Sequence, residues 1–230
     1  MAEAYVAALL AAQPAGPYWL GGYSAGGPIA FEMACQLHAQ GHKVGRVVLL
    51  DSPAPGTAAL RGMDAVAEGF IFRLAARWLG DRWGLPPLDE AELAGHDGAS
   101  VRTGVIAYLQ DPALPGRDTE FIGRMLDALD RVGNATGRAL QSYRPRQLPA
   151  ETEVILFQCR DGMGGQFEGS EDYLLGWDAL FTAPIRRVAV GCDHFRLMQQ
   201  PWRDEVAAVL AGLGALGERQ RRAVEPAPGE

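Results

Sequence analysis

At 230 residues and 48% hydrophobic composition, the chain carries enough apolar material for one domain with a sizeable core, and its composition does not suggest disorder over most of its length. The formal charge is −7 and all 21 basic residues except Lys43 are arginine, with no basic stripe interleaved with aromatics, which argues against a nucleic-acid partner. Cys35, Cys159 and Cys192 are odd in number, far apart and without C-x-x-C spacing, so neither a disulfide framework nor a zinc or other metal site is expected, and a reducing cytoplasm fits.

The opening "MAEAYVAALLAAQ" has an acidic lead and helical spacing of Tyr5, Val6, Leu9 and Leu10, which predicts an amphipathic helix rather than a signal peptide. "QPAGP" (Gln13 to Pro17) breaks it, and "YWLGGY" follows as a short buried strand. After Ser24, the positions Ile29, Ala30, Met33, Ala34 and Leu37 mark one helix face, stopped at Gly41. "RVVLLD" (Arg46 to Asp51) is a continuous apolar run ending in an acid, the pattern of a parallel strand buried on both faces. Strand, helix, strand in this order is a right-handed crossover.

From Ser52 to about Ala150 the strand signal stops, and helical patterns appear around Phe70, Ile71, Leu74 and Trp78 and around Phe121, Met125, Leu129 and Val132. An insertion this long is expected to be a cap over a site rather than a linker. "EVILFQ" (Glu153 to Gln158) resumes the sheet, a helix is expected near Tyr173 to Leu180, and "IRRVAV" (Ile185 to Val190) supplies the last strand. Pro201 then opens a helix with Val206, Leu210 and Leu213 inward, and the polar tail from Gly217 is expected to fray. The expected organisation is a core part over 1–56, a helical cap over 57–150, a second core part over 151–216 and a disordered tail over 217–230. No run reaches membrane-spanning length.

The chemistry concentrates in "LGGYSAGG". Gly22-Tyr23-Ser24-Ala25-Gly26 satisfies G-x-S-x-G in the required context, an apolar strand before it and an amphipathic helix after it. A nucleophile at so sharp a turn occupies strained backbone, and glycines at positions 22 and 26 are expected to relieve the crowding. The helix N-terminus below Ser24 directs N–H groups at developing negative charge, with Ala25 N–H as the first oxyanion donor.

Four histidines are candidate bases. His38 and His42 lie on or just after the nucleophile helix, too near in sequence to fold back over Ser24, and are expected to be solvated. His96 sits in an insertion loop. His194, in "VAVGCDHFRLM", follows the last strand, on the edge where parallel sheets place their sites, and is the expected base. Two acids compete to orient it: Asp51, after the strand that follows the elbow helix, and Asp161, after the next one. Spacing does not decide between them, since either gives the chain order Ser, acid, His. Asp193 is expected to be a turn residue.

"GPYWLGGYSAGGPIAFEMACQL", "VVLLDSPAP", "VILFQCRDG" and "GCDHFRLM" together resemble the thioesterase domains that terminate modular nonribosomal peptide and polyketide synthases, over Ala4 to about Leu213 outside the insertion. "LLDSPAP" and a Tyr before the serine are more similar to the peptide-synthase branch than to stand-alone editing thioesterases. The resemblance implies an α/β-hydrolase fold with a parallel sheet of about four strands here, and a serine that takes an acyl or peptidyl chain from the phosphopantetheine arm of an acyl or peptidyl carrier protein. Release by hydrolysis or macrocyclisation follows, with no cofactor of the domain's own. It also maps the orienting acid onto Asp51, with Asp161 as the alternative. The family has strands before the elbow whose loop gives a second oxyanion N–H, whereas only 17 residues precede Tyr18. The expectation is therefore an N-terminally truncated domain with an unpaired elbow-strand edge and impaired activity. A general serine esterase or lipase, and an inactive fragment that only binds a carrier protein, are the competing expectations.

Overall fold

The computed structural model describes residues 1–56, 69–110, 118–148, 151–161 and 174–224. Two compact units divide the chain, Met1–Ser52 with Gln147–Glu230 and Pro53–Arg146, where the sequence reading put the divisions at 57 and 150.

The first unit is built on four parallel strands in spatial order β1-β2-β3-β4: β1 (Tyr18–Tyr23), β2 (Val44–Leu50), β3 (Glu153–Cys159) and β4 (Ile185–Val190). Helix α1 (Ala2–Ala12) precedes β1, and α2 (Gly26–Ala39) connects β1 to β2 and packs on both. The parallel α/β sheet expected from the sequence is present, and β1 pairs with β2 alone among the described residues. Val47, Val48 and Leu49 are all buried, since β2 is covered on both faces.

Alternation assigns the strand residues to two faces. Val48 of β2, Ile155, Phe157 and Cys159 of β3 and Val190 of β4 form one core with Val206 and Leu213 of the C-terminal helix (Trp202–Val224), and Leu210 packs against it. Leu49 points the other way, towards Gly27 of α2. The buried stripe of α2 runs through Gly27, Ala30, Phe31, Ala34, Cys35 and Leu37; it includes Ala30, Ala34 and Leu37 of the expected face, while Ile29 and Met33 are only half-buried. Phe31 meets Trp177 and Phe181 in an aromatic cluster, and Trp177 donates its indole N–H to Ser52 O at 2.6 Å. Around Trp177 the chain forms a short 3₁₀ turn, Trp177–Ala179, where a longer helix was expected; Tyr173 lies outside the described residues. Tyr5 of α1 is exposed, so only part of its expected apolar face is buried. Rather than fraying at Gly217, the C-terminal helix continues to Val224, because "ERQRR" is made of good helix formers.

The second unit packs three helices, α3 (Phe70–Trp83), α4 (Gly98–Leu109) and α5 (Thr119–Ser142), around Phe72, Leu79, Val105, Leu109, Ile122 and Leu126. Sequence reasoning missed α4, although Asp97 caps it by accepting from Ser100 N–H at 2.8 Å. Trp78 of α3 and Phe121 and Val132 of α5, which mark the helical spacing in the sequence, are exposed; the buried residues of α5 are Ile122, Gly123, Leu126 and Leu140.

The strand-to-helix turn is set by two close approaches. A Cβ on Gly22 would lie 2.1 Å from Gly26 O, and one on Gly27 would lie 1.9 Å from Ser52 Oγ. At Gly26 itself a Cβ would meet nothing within 4 Å, so the crowding expected there falls on Gly27 instead. Gly22→Ala is therefore expected to cost about 3 kcal/mol or more, as backbone overpacking that no rotamer relieves. By contrast, Gly26→Ala is expected to change stability by about 1 kcal/mol or less, favourably, because Ala is the better helix former. Urea midpoints of the two variants check this ordering.

Candidate active site

In a parallel ladder every strand ends on the same edge, and here β1, β2 and β4 deliver Ser24, Asp51 and His194 to it in turn. The last β1–β2 pair is Tyr23 with Leu50, and Ser24 N–H donates to Leu50 O at 3.0 Å, which places Ser24 beside the chain entering Asp51. Asp51 N–H donates to Phe157 O at 2.7 Å and so extends the β2–β3 ladder by one rung.

Ser24 and Asp51 both have left-handed backbone, with φ of 53° and 42°, and Leu175 is the other described non-glycine residue with positive φ. Neither side chain takes this region without strain, so the neighbouring contacts must hold it. For Ser24 the holding contacts converge on its carbonyl, which accepts from Gly27 N–H at 3.1 Å and from Ser52 Oγ–H at 2.6 Å. Ser52 is fully buried between the elbow and Trp177, a role sequence reasoning did not find. Directly after Ser24, Ala25 precedes the first turn of α2, whose N–H groups have no intrahelical acceptor.

The buried Asp51 carboxylate is satisfied on both oxygens. Oδ1 accepts from Cys159 N–H at 2.9 Å, and Oδ2 accepts from His194 Nδ1 at 2.8 Å. Because the acceptor is a carboxylate, Nδ1 carries the proton and Nε2 is the nitrogen with a lone pair to offer. His194 is 3% exposed and sits in the loop after β4. Asp193 anchors that loop by accepting from Phe195 and Arg196 N–H at 2.9 and 3.0 Å, the turn role expected of it. The partner of His194 is thus Asp51, whereas Asp161 is exposed, its backbone N–H bonded to Cys192 O.

The other histidines are elsewhere. His38 and His96 are exposed, while His42, expected to be solvated, is half-buried with its ring edge-on to Tyr18. Around the Asp51–His194 pair the surroundings are aromatic and thiol-rich. Tyr23 stacks on the imidazole, Phe195 meets it edge-on, and the Cys159 and Cys192 thiols touch at 3.7 Å. Burial, reinforced by the Asp51 charge, pushes the Tyr23 phenol and the Cys159 thiol far above their ordinary values; burial also raises Cys192. All three remain neutral donors beside the carboxylate. Among the described residues no cluster of three or more His, Cys, Asp or Glu could hold a metal ion, and no helix is long and apolar enough to cross a membrane.

A family model described as "Thioesterase domain" matches residues 1–212. A non-reducing polyketide synthase of Cladonia metacorallifera, crz7, is 51% identical over 246 residues, covering 93% of this chain. The chain spans about a tenth of the length of the curated relatives it matches first. Among solved structures, a four-domain nonribosomal peptide synthetase, holo-AB3403, superposes with TM-score 0.66 at 25% identity, over 93% of this chain and 15% of that one. RedJ, a thioesterase from the prodiginine pathway of Streptomyces coelicolor, superposes with TM-score 0.55 at 23% identity over 91% of this chain and 65% of its own, a likeness of fold.

The neutral acids buried in the site have a consequence for stability. Cys159, Cys192 and Tyr23 keep their protons in the folded chain above the pH at which they lose them when unfolded. Stability is therefore intact below about pH 8.5, the ordinary thiol value, and falls as pH rises beyond it, because the unfolded state then binds fewer protons. Urea midpoints from pH 7 to 10.5 are expected to decline above that point, less steeply in Cys159→Ala. A flat profile would contradict the burial of these groups.

Proposed function

Since the chain belongs to the thioesterase domain family, we propose that it releases an acyl or peptidyl chain from the phosphopantetheine thioester of a carrier protein, through an acyl-enzyme on Ser24. The observation that supports this reading most directly is the bonded Asp51–His194 pair at the strand ends, beside a serine with φ of 53° at the mouth of a helix.

In this reading Ser24 Oγ attacks the thioester carbonyl carbon while His194 Nε2 takes its proton. Negative charge gathers on the carbonyl oxygen and is met by Ala25 N–H and the N-terminal end of α2. The C–S bond then breaks, and the imidazolium returns the proton to the departing pantetheine sulfur. Asp51 holds the Nδ1–H tautomer and balances the imidazolium while it lasts. Water, or a nucleophile within the chain being released, attacks the ester, again with proton removal by His194, and frees Ser24 with a carboxylic acid or a cyclic product.

The pantetheine arm belongs to the carrier, so the reaction draws on no cofactor bound by this domain. The carrier protein is the macromolecular partner and the cytoplasm the proposed compartment. Relatives that are polyketide synthases, as crz7 is, favour a polyketide acyl chain on the thioester.

Intact-protein mass spectrometry with an N-acetylcysteamine thioester tests the nucleophile. The wild-type chain should gain the acyl mass, and Ser24→Ala should not; labelling that persists in the variant would move the nucleophile elsewhere. For the acid, Asp51→Asn should lower turnover by about 10⁴, because the amide favours the wrong imidazole tautomer. Asp161→Asn should stay close to wild type, and reversed magnitudes would transfer the role to Asp161.

A further inference from the structure

The Nδ1–Oδ2 contact with Asp51 holds one edge of the His194 imidazole and, with the side-chain attachment at Cβ, limits its rotation. It leaves the faces of the ring to be restrained by what packs on them. Small tilts of the ring displace Nε2, so those packing contacts bear on how well His194 can serve a serine on a different strand.

Tyr23 makes two contacts with His194, of different kinds. Its ring lies on the imidazole with centroids 4.7 Å apart and planes inclined by 21°, so the flat face of one restrains the flat face of the other. Its hydroxyl donates to the backbone oxygen of the same residue at 2.7 Å, which ties down the loop that carries the imidazole. The Phe195 ring, edge-on to the imidazole at 5.4 Å, adds a further restraint. Tyr23 is also the residue bonded to Ser24, and it sits in register with Leu50 at the end of β1. The segment that carries the nucleophile thus also grips the base.

We infer that Tyr23 is a positioning residue for acyl transfer, its ring and hydroxyl together setting the plane of His194 relative to Ser24; the inference rests on the Ser24, His194 and Asp51 reading above. The phenol does not act as an acid or base. Burial and the Asp51 charge keep it protonated across the range in which the reaction runs. Its contribution is geometric and enters the chemical step rather than substrate capture.

The test uses the 230-residue chain and an N-acetylcysteamine thioester, with kcat and KM measured separately for wild type, Tyr23→Phe and Tyr23→Leu. Tyr23→Phe keeps the stacked ring and loses the hydroxyl, and kcat should fall about three- to tenfold, the value of one ordinary hydrogen bond. Tyr23→Leu loses both, and kcat should fall about 10²-fold, the scale of a 1 Å misplacement of a reacting group. KM should move little in either; since losing the hydroxyl also lowers the urea midpoint somewhat, kcat is compared per folded molecule. A Tyr23→Leu chain with wild-type kcat overturns the inference, as does a loss of activity that only tracks the loss of folded protein. Should Tyr23→Leu fail to fold, Tyr23→Phe decides, wild-type kcat then counting against the inference. Acyl transfer by wild type that does not depend on Ser24 would overturn the triad reading and this inference with it, whereas Ser24-dependent transfer indifferent to Tyr23 would overturn the inference alone.

Discussion

Residues 51 and 52 are where the described part of the hydrolase-like unit is tied together. Asp51 N–H completes the ladder to β3, its Oδ1 takes a second β3 amide from Cys159, and its Oδ2 holds His194 from beyond β4. Ser52 then reaches back to the Ser24 carbonyl and forward to Trp177. A buried carboxylate without partners would cost several kcal/mol, so the arrangement is stable only with both oxygens bonded. The requirement works in both directions. Asp51 needs the donors of β3 and the His194 loop, and those segments are aligned by supplying them.

The strained backbone at Ser24 and Asp51 follows from the same geometry. Each residue ends a strand and must turn its side chain out over the sheet edge within a single residue, and left-handed φ does this at a local energetic cost. Glycine at 22 lets the helix fall back against the strand, and glycine at 27 makes room for Ser52. A sequence with four glycines around one serine thus encodes a close packing of backbone on backbone, and the half-buried position of the serine at the strand-to-helix turn is its outcome.

Much of this was legible before any coordinates. Strands β1 and β4 match their apolar runs at both ends, because turn residues bound them, Pro17 and the elbow for β1 and Pro184 and Gly191 for β4. The elbow was legible because a nucleophile turn demands small residues at fixed offsets. His194 and Asp51 were legible as residues that follow strands, although spacing left Asp161 open. What escaped has physical reasons. Helix α4 was hidden since Gly98, Thr103 and Gly104 dilute its apolar positions. Spacing marked the helix at Phe121 and Val132 but not its buried face, since a single apolar residue on a solvated face looks the same in sequence as one in the core. Cys159 contributes through its backbone N–H, which no side-chain signature announces. The stacking of Tyr23 on His194 joins residues 171 positions apart, and alternation in a strand gives a face but no partner.

Asp51, and not Asp161, holds the imidazole of His194 by Nδ1. Proton NMR of the chain in water, with His194 assigned by nitrogen labelling, reads that bond directly. A far-downfield Nδ1 proton should be present in wild type, persist in Asp161→Asn and disappear in Asp51→Asn. A resonance that survives Asp51→Asn and vanishes with Asp161→Asn would instead give Asp161 the bond to His194.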